Sequence, residues 1–138
     1  MNVINETYKH NINYKKNPML YEYSNDCYGM YVCEPYKSVL MSEWKFLKLE
    51  EAKISAESIY DIFLSYLKDM DFVGSDMARK YLQAGATKKT VPNDCSEVFA
   101  EYYQKVLRSE AYSLLIQNFA FRKRAYEEKL EKKKNECW

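Results

Sequence analysis

The chain is short of the residues that punctuate a fold and of those that most often catalyse. Its 138 residues hold three glycines, three prolines and one histidine. So few Gly and Pro leave little material for tight turns and favour long helices. Gly29, Gly74 and Gly85 lie too far apart to build a phosphate-cradling loop, and neither G-x-x-x-x-G-K-S/T nor G-x-G-x-x-G occurs. His10, the lone histidine, sits in a polar stretch, a poor position for activating a serine or cysteine nucleophile. Cys27, Cys33, Cys95 and Cys137 make no C-x-x-C pair, so no zinc site and no metal are expected. No apolar run approaches membrane-spanning length, and the first residues carry no apolar h-region. The expectation is a cytoplasmic protein with reduced thiols, no cofactor and no membrane contact.

What is abundant is tyrosine, with 14 residues, against a net charge of +1. A dedicated duplex binder is usually more basic, although a balanced total can hide an asymmetric surface. The length fits one domain, 1–138. Residues 1–17 are polar and read as an extended arm with a strand-like patch between Tyr8 and Tyr14. In 18–47, Leu20 to Tyr23 and Tyr28 to Cys33 are rich in aromatic and β-branched residues around the turn material Ser24-Asn25-Asp26, which predicts a β-hairpin. A connector follows, with a short third strand near Trp44 to Leu47. The Trp44 indole is expected to cap a small core and seek a carbonyl.

Helical spacing dominates the rest. Ala52, Ala56, Ile59, Ile62, Phe63, Tyr66 and Leu67 form one stripe of a helix from about Leu49 to Lys68. The second helix of the 48–85 region follows, with Asp71 or Ser75 as N-cap, Met77, Ala78, Tyr81 and Leu82 buried, and Gly85 as C-cap. Asp76, Arg79, Lys80 and Gln83 are expected on its opposite, outer face, with Asp76 pairing to Arg79 or Lys80 within one turn. Gly74 suits close approach of another backbone or, less specifically, an anion. A basic, hydroxyl-rich loop, Thr87-Lys-Lys-Thr90, leads to a helical hairpin over 96–134 that ends in a basic tail. From Arg122 to Glu136 there are seven Lys or Arg and four Glu, a local charge of +3. The fold class expected is α+β: a small N-terminal hairpin or short antiparallel sheet packed against about four helices.

The segments Glu34-Pro-Tyr-Lys-Ser38, Trp44-Lys-Phe46 and, above all, Asp71-Phe-Val-Gly-Ser-Asp-Met-Ala-Arg-Lys-Tyr-Leu-Gln83 resemble a small family of uncharacterised bacterial, phage and large-DNA-virus proteins, usually labelled cytoplasmic or domain-of-unknown-function proteins. The resemblance spans Asn17 to Gly85 and resumes loosely over Ser96 to Leu130, where Arg108-Ser-Glu-Ala-Tyr112 is similar to the family's second helical hairpin. It implies no characterised activity. The family follows the Gly85 position with an Arg-rich stretch carrying Tyr, Asn and His. Here only Thr87-Lys-Lys-Thr90 stands there, a shorter basic element without its His.

Chemistry is sparse. Glu34, Asp71 and Asp76 are carboxylates that a divalent ion would need close together, but capping and ion pairing account for Asp71 and Asp76 without it. The reading leans away from an enzyme and names no catalytic residue. A binding module is favoured, with Tyr36, Lys37, Trp44, Lys45, Asp76, Arg79, Lys80, Lys88 and Lys89 as candidate ligand-binding residues. Cations interleaved with aromatics suit nucleic acid or another phosphate-bearing ligand, through phosphate contact and base stacking. The alternative is a viral or phage structural or host-interaction protein, working through a protein partner or by self-association of the N-terminal arm and C-terminal helix. A small carboxylate-centred enzyme stands third.

Overall fold

The computed structural model describes residues 8–136. They form five α-helices: α1 Tyr36–Glu43, α2 Leu49–Lys68, α3 Phe72–Thr87, α4 Asn93–Leu107 and α5 Glu110–Glu136, preceded by a 3₁₀ turn at Pro18–Leu20. Among the described residues there is no β-strand; a single isolated bridge joins Asn13 to Glu34. The α+β expectation is therefore corrected to an all-helical fold.

The physical reason lies in where the backbone of the expected hairpin finds its partners. The carbonyls of Ser24 and Asp26 accept from Arg79, that of Asn25 from Gln83, that of Tyr28 from Lys80 and that of Met30 from Tyr81. Side chains of α3 thus take the acceptors that a strand ladder would have used. Gly29 turns the chain at φ 92°, and Val32 and Cys33 donate back to its carbonyl at 3.0 and 3.2 Å. β-propensity without a pairing neighbour does not make a strand. The same holds earlier, where Tyr8 to Tyr14 forms turns. Asn13 Oδ1 accepts from the amides of Lys15 and Lys16 at 3.0 Å each. The connector expected after Pro35 is α1, with the Glu34 carboxylate accepting from the Ser38 amide at 2.9 Å and its hydroxyl at 2.7 Å. No third strand forms at Trp44; the Lys45 amide donates to Ser55 Oγ on α2 instead.

Helix α3 is the centre. Thirteen of its sixteen residues are buried, so it is enclosed all round rather than amphipathic. It is entered through Met70, at φ 57°, and Asp71, whose side chain accepts from the Gly74 amide at 3.0 Å. Ser75 is not the cap; its hydroxyl turns back to the Phe72 carbonyl. Gly85 is not a C-cap either, because α3 continues to Thr87. It is a contact point: a Cβ there would lie 2.3 Å from the Phe99 ring of α4, as a Cβ on Gly74 would lie 2.6 Å from the Tyr66 ring of α2. Helix α2 lays Ala52, Ser55, Ala56, Ile59 and Phe63 against α3 and its neighbours. Helix α4 begins at Asn93, a turn before Ser96. In α5 only the first half meets the body, through Tyr112, Leu115 and Phe119.

The core extends to the N-terminal side as an aromatic cluster. Tyr8, Tyr14 and Tyr21 pack edge to face and tilted at 5.6–6.5 Å, and Tyr21 hands on to Phe72 and Phe119, which stack at 4.7 Å. The described part of the arm, residues 8–17, is therefore anchored by Tyr8 and Tyr14, at spacings favoured for aromatic pairs.

Candidate functional site

Asp76, Arg79 and Lys80 stand one turn apart on the side of α3 that the sequence assigns to solvent. They are 0%, 2% and 0% exposed. The 19–30 segment and α5 cover them, which periodicity along α3 alone does not reveal. Asp76 Oδ1 accepts from Arg79 Nε at 3.0 Å and Nη2 at 2.7 Å, and from the Tyr112 hydroxyl. Its Oδ2 accepts from the Tyr21 hydroxyl. Arg79 Nη1 donates to the Asp26 carbonyl and, at 2.8 Å, to Gln83; Nη2 also donates to the Ser24 carbonyl at 2.7 Å. A guanidinium has five N–H groups, and all five are engaged inside the protein. Burial alone would lower the Arg79 pKa, but the Asp76 carboxylate beside it raises it, so the guanidinium stays charged.

Lys80 reaches the Tyr28 carbonyl, with its ammonium 4.6 Å from the Tyr21 ring and 5.1 Å from the Tyr8 ring. Cation–π contact replaces part of its lost hydration. Burial lowers its pKa, with Asp76 opposing. Burial likewise pushes the Tyr21 and Tyr112 hydroxyls well up and holds them neutral. From the far side, Lys123 of α5 donates to the carbonyls of Met19 and Tyr21 and pairs with Glu22 at 2.6 Å. Together these groups clamp the 19–30 segment by its carbonyls, and they do so from two helices.

The remaining candidates fall into separate places. Tyr36 is buried, and its hydroxyl donates to Asp71 at 2.6 Å, at the start of α3. Lys37 is half-buried on α1. Lys45 is exposed beside a shallow 300 Å³ cavity that also takes in Glu51 and Ile54. Trp44 is half-buried between Tyr81, Phe46 and Tyr31, at 5.3, 4.9 and 6.4 Å, and its shielded indole N–H meets no acceptor among the described residues, contrary to expectation. Lys88 and Lys89 are exposed just past the end of α3, and the Lys88 ammonium lies 5.6 Å over the Tyr31 ring. Two groups thus come together: Asp76, Arg79 and Lys80 in the interior, and Trp44 with Lys88 around Tyr31 at the surface. Tyr36 belongs to neither: from α1 it bonds Asp71 at the start of α3, while Lys88 stands past the far end of that helix, about 24 Å long.

The candidate list left out Tyr21, Tyr112, the carbonyls of the 19–30 segment and Gln83, although the sequence sets Gln83 on one face with Asp76, Arg79 and Lys80. Gln83, four residues after Arg79, carried a signal in its spacing; Tyr112 carried one in the apolar stripe it shares with Leu115 and Phe119, which marks burial but not a partner. The carboxylates weighed for a metal are each engaged separately: Glu34 on Ser38, Asp71 on Gly74 and Tyr36, Asp76 on Arg79. Among the described residues no group of three His, Cys, Asp or Glu is placed to hold a metal ion. Nor, among them, is any helix long and apolar enough to cross a membrane.

The clamped segment still has an outer side. Tyr23 and Tyr28 are 40% and 37% exposed along it, and Tyr31, which directly follows it, is 44% exposed. The class of protein so defined is an all-helical domain built round a buried charge clamp that displays a tyrosine-bearing loop. The chain belongs to the family described as Domain of unknown function (DUF4385), whose model matches residues 5–92. The match takes in the clamped loop and α1 to α3, while α4 lies beyond it, as does α5, which supplies Tyr112 and Lys123. No curated protein and no solved structure matches the chain.

Proposed function

We propose that the protein is a small, non-enzymatic binding module for an anionic ligand, a single-stranded nucleic acid, and that the ligand lies along the outer edge of the clamped loop. The observation that carries the reading is the Lys88 ammonium over the half-exposed Tyr31 ring, with Trp44 packed behind it. Lys88 and Lys89 offer phosphate contacts, and exposed tyrosines offer faces on which bases stack. A loop held by its carbonyls to buried cations is ordered before the ligand arrives, which reduces the entropy cost of binding. Arg79, Lys80 and Asp76 serve the ligand only through this loop, because their polar groups already have partners inside. The reading carries a cytoplasmic location with it, where Cys27, Cys33 and Cys95 stay as thiols.

The test is fluorescence anisotropy of labelled single-stranded DNA and RNA over a salt series. The reading predicts binding at low salt that weakens as salt rises. Absence of binding at low salt, or binding indifferent to salt, contradicts it.

A second reading, contact with a protein partner or a second copy, is favoured by α5. From Glu128 to Glu136 every residue is exposed, so about 14 Å of helix extends past the body. Light scattering at rising concentration tests self-association; a constant monomer mass removes the second-copy version.

A further inference from the structure

A cavity of about 140 Å³ opens where the clamped loop, α3, α4 and α5 meet. It is lined by Tyr23 and Asn25 of the loop, Arg79 and Gln83 of α3, Tyr103 of α4 and Ser113 of α5. Its volume is below the roughly 300–1,000 Å³ of pockets that enclose drug-sized ligands, so it suits one ring system and not a whole nucleotide.

The chemistry of the lining narrows the occupant further. Arg79 is the only charged group there, and its five N–H groups are spent on Asp76, Gln83 and the loop carbonyls. A phosphate would gain no donor from it. Gln83 has one amide hydrogen left after donating to the Asn25 carbonyl at 3.0 Å. The hydroxyls of Tyr23, Tyr103 and Ser113 and the Asn25 amide have no partner among the described residues. Every group left to a ligand is therefore neutral and able to donate or accept. The walls between them are tyrosine rings, with Ile116 and Leu107 completing the apolar lining. Flat apolar walls with neutral polar groups at the rim fit a planar nitrogen heterocycle that hydrogen-bonds through its edge.

We propose that this cavity is a nucleobase pocket, filled by a single unpaired base against Tyr23 and Tyr103. The inference rests on the nucleic-acid reading above, since the clamped loop that lends Tyr23 and Asn25 to the cavity runs directly into Tyr31 of the lysine edge. The base comes from a strand on that edge or from a free nucleoside; both present the same ring.

The experiment compares wild type with Ser113→Trp, a substitution at an exposed rim position that fills the cavity, and with Tyr103→Ala, which removes a wall. Each is titrated with a single-stranded oligonucleotide, the same backbone carrying abasic sites, and free nucleosides, after thermal melts confirm folding. Wild type is expected to prefer the base-bearing strand at least tenfold over the abasic one. Ser113→Trp and Tyr103→Ala are expected to lose most of that preference and keep the salt dependence. If both variants keep the wild-type preference, the pocket is overturned while strand binding stands. If nucleosides bind wild type but not Ser113→Trp and no strand binds, the pocket stands with a free base as ligand and the strand reading falls. If neither strands nor nucleosides bind, both fall.

Discussion

The Tyr112 hydroxyl donates to Oδ1 of Asp76 and accepts from Nε of Arg79 at 3.2 Å, so one phenol closes a buried ion pair from a helix 33 to 36 residues further along the chain. This is how α5, outside the family-matched segment, is tied to α3 at the centre. Removing that hydroxyl with Tyr112→Phe should cost about 1.5–3 kcal/mol, the range for a hydrogen bond to a charged group. Asp76→Ala should cost more, about 3–5 kcal/mol, because Arg79 is then buried without its counter-charge. Urea denaturation of the two variants measures both, and equal losses would argue against a charge-centred clamp.

Gly85 offers a test of packing free of charge. Alanine in mid-helix is favoured over glycine by about 0.8–1 kcal/mol. Here its Cβ would meet the Phe99 ring at 2.3 Å, and overpacking typically costs about 1–3 kcal/mol. Gly85→Ala should therefore destabilise, and combining it with Phe99→Leu should cost less than the sum of the two single changes. Thermal melts of the three variants read this directly.

Stability should fall in alkali. Burial raises the folded-state pKa of Tyr8, Tyr21, Tyr36 and Tyr112, so the folded protein holds protons that the unfolded chain releases above about pH 10. Their contribution is complete below that pH and is lost as pH climbs toward the raised values. Lys80 acts in the opposite sense: its pKa is lowered by burial, so its contribution grows with pH until the unfolded side chain titrates near 10.4. Four tyrosines outweigh one lysine above pH 10. Full ionisation of the 14 tyrosines should come only with loss of helical circular dichroism; full phenolate absorbance with the helix intact would contradict this.

Thiol chemistry should divide the cysteines. Cys33 is fully buried, and desolvation pushes its thiol up to about 12, with Lys80 opposing. At pH 8 it should resist alkylation in the native protein and react on unfolding, while half-buried Cys27 reacts sooner. Mass spectrometry of tryptic peptides after timed alkylation checks the order.

The helices were legible in sequence where one face alone decides burial. The spacing of Ala52, Ala56, Ile59 and Phe63 gave α2, and Asp71 gave the start of α3. The failures share a cause. Leu20 to Cys33 has strand-like composition, but its acceptors are taken by Arg79, Lys80, Tyr81 and Gln83, some 50 residues away. The partners that bury Arg79 and Lys80 are set by tertiary contact, and period counting along α3 cannot see a loop laid over the polar side. Residues 1–7, part of the expected arm, lie outside those described. Of the candidate site, the Asp76–Arg79 pair was legible from its one-turn spacing; the Tyr31–Lys88 contact was not, because nothing local joins the two.

The central claim is a division of labour: Asp76, Arg79 and Lys80 hold the loop, and the Lys88 edge takes the ligand. Affinity of the double variant Lys88→Ala/Lys89→Ala for a single-stranded oligonucleotide at low salt tests it most directly. The account predicts binding weakened at least tenfold with a shallower salt dependence and a melting curve unchanged from wild type. Wild-type affinity in that variant, under the same salt, would contradict it.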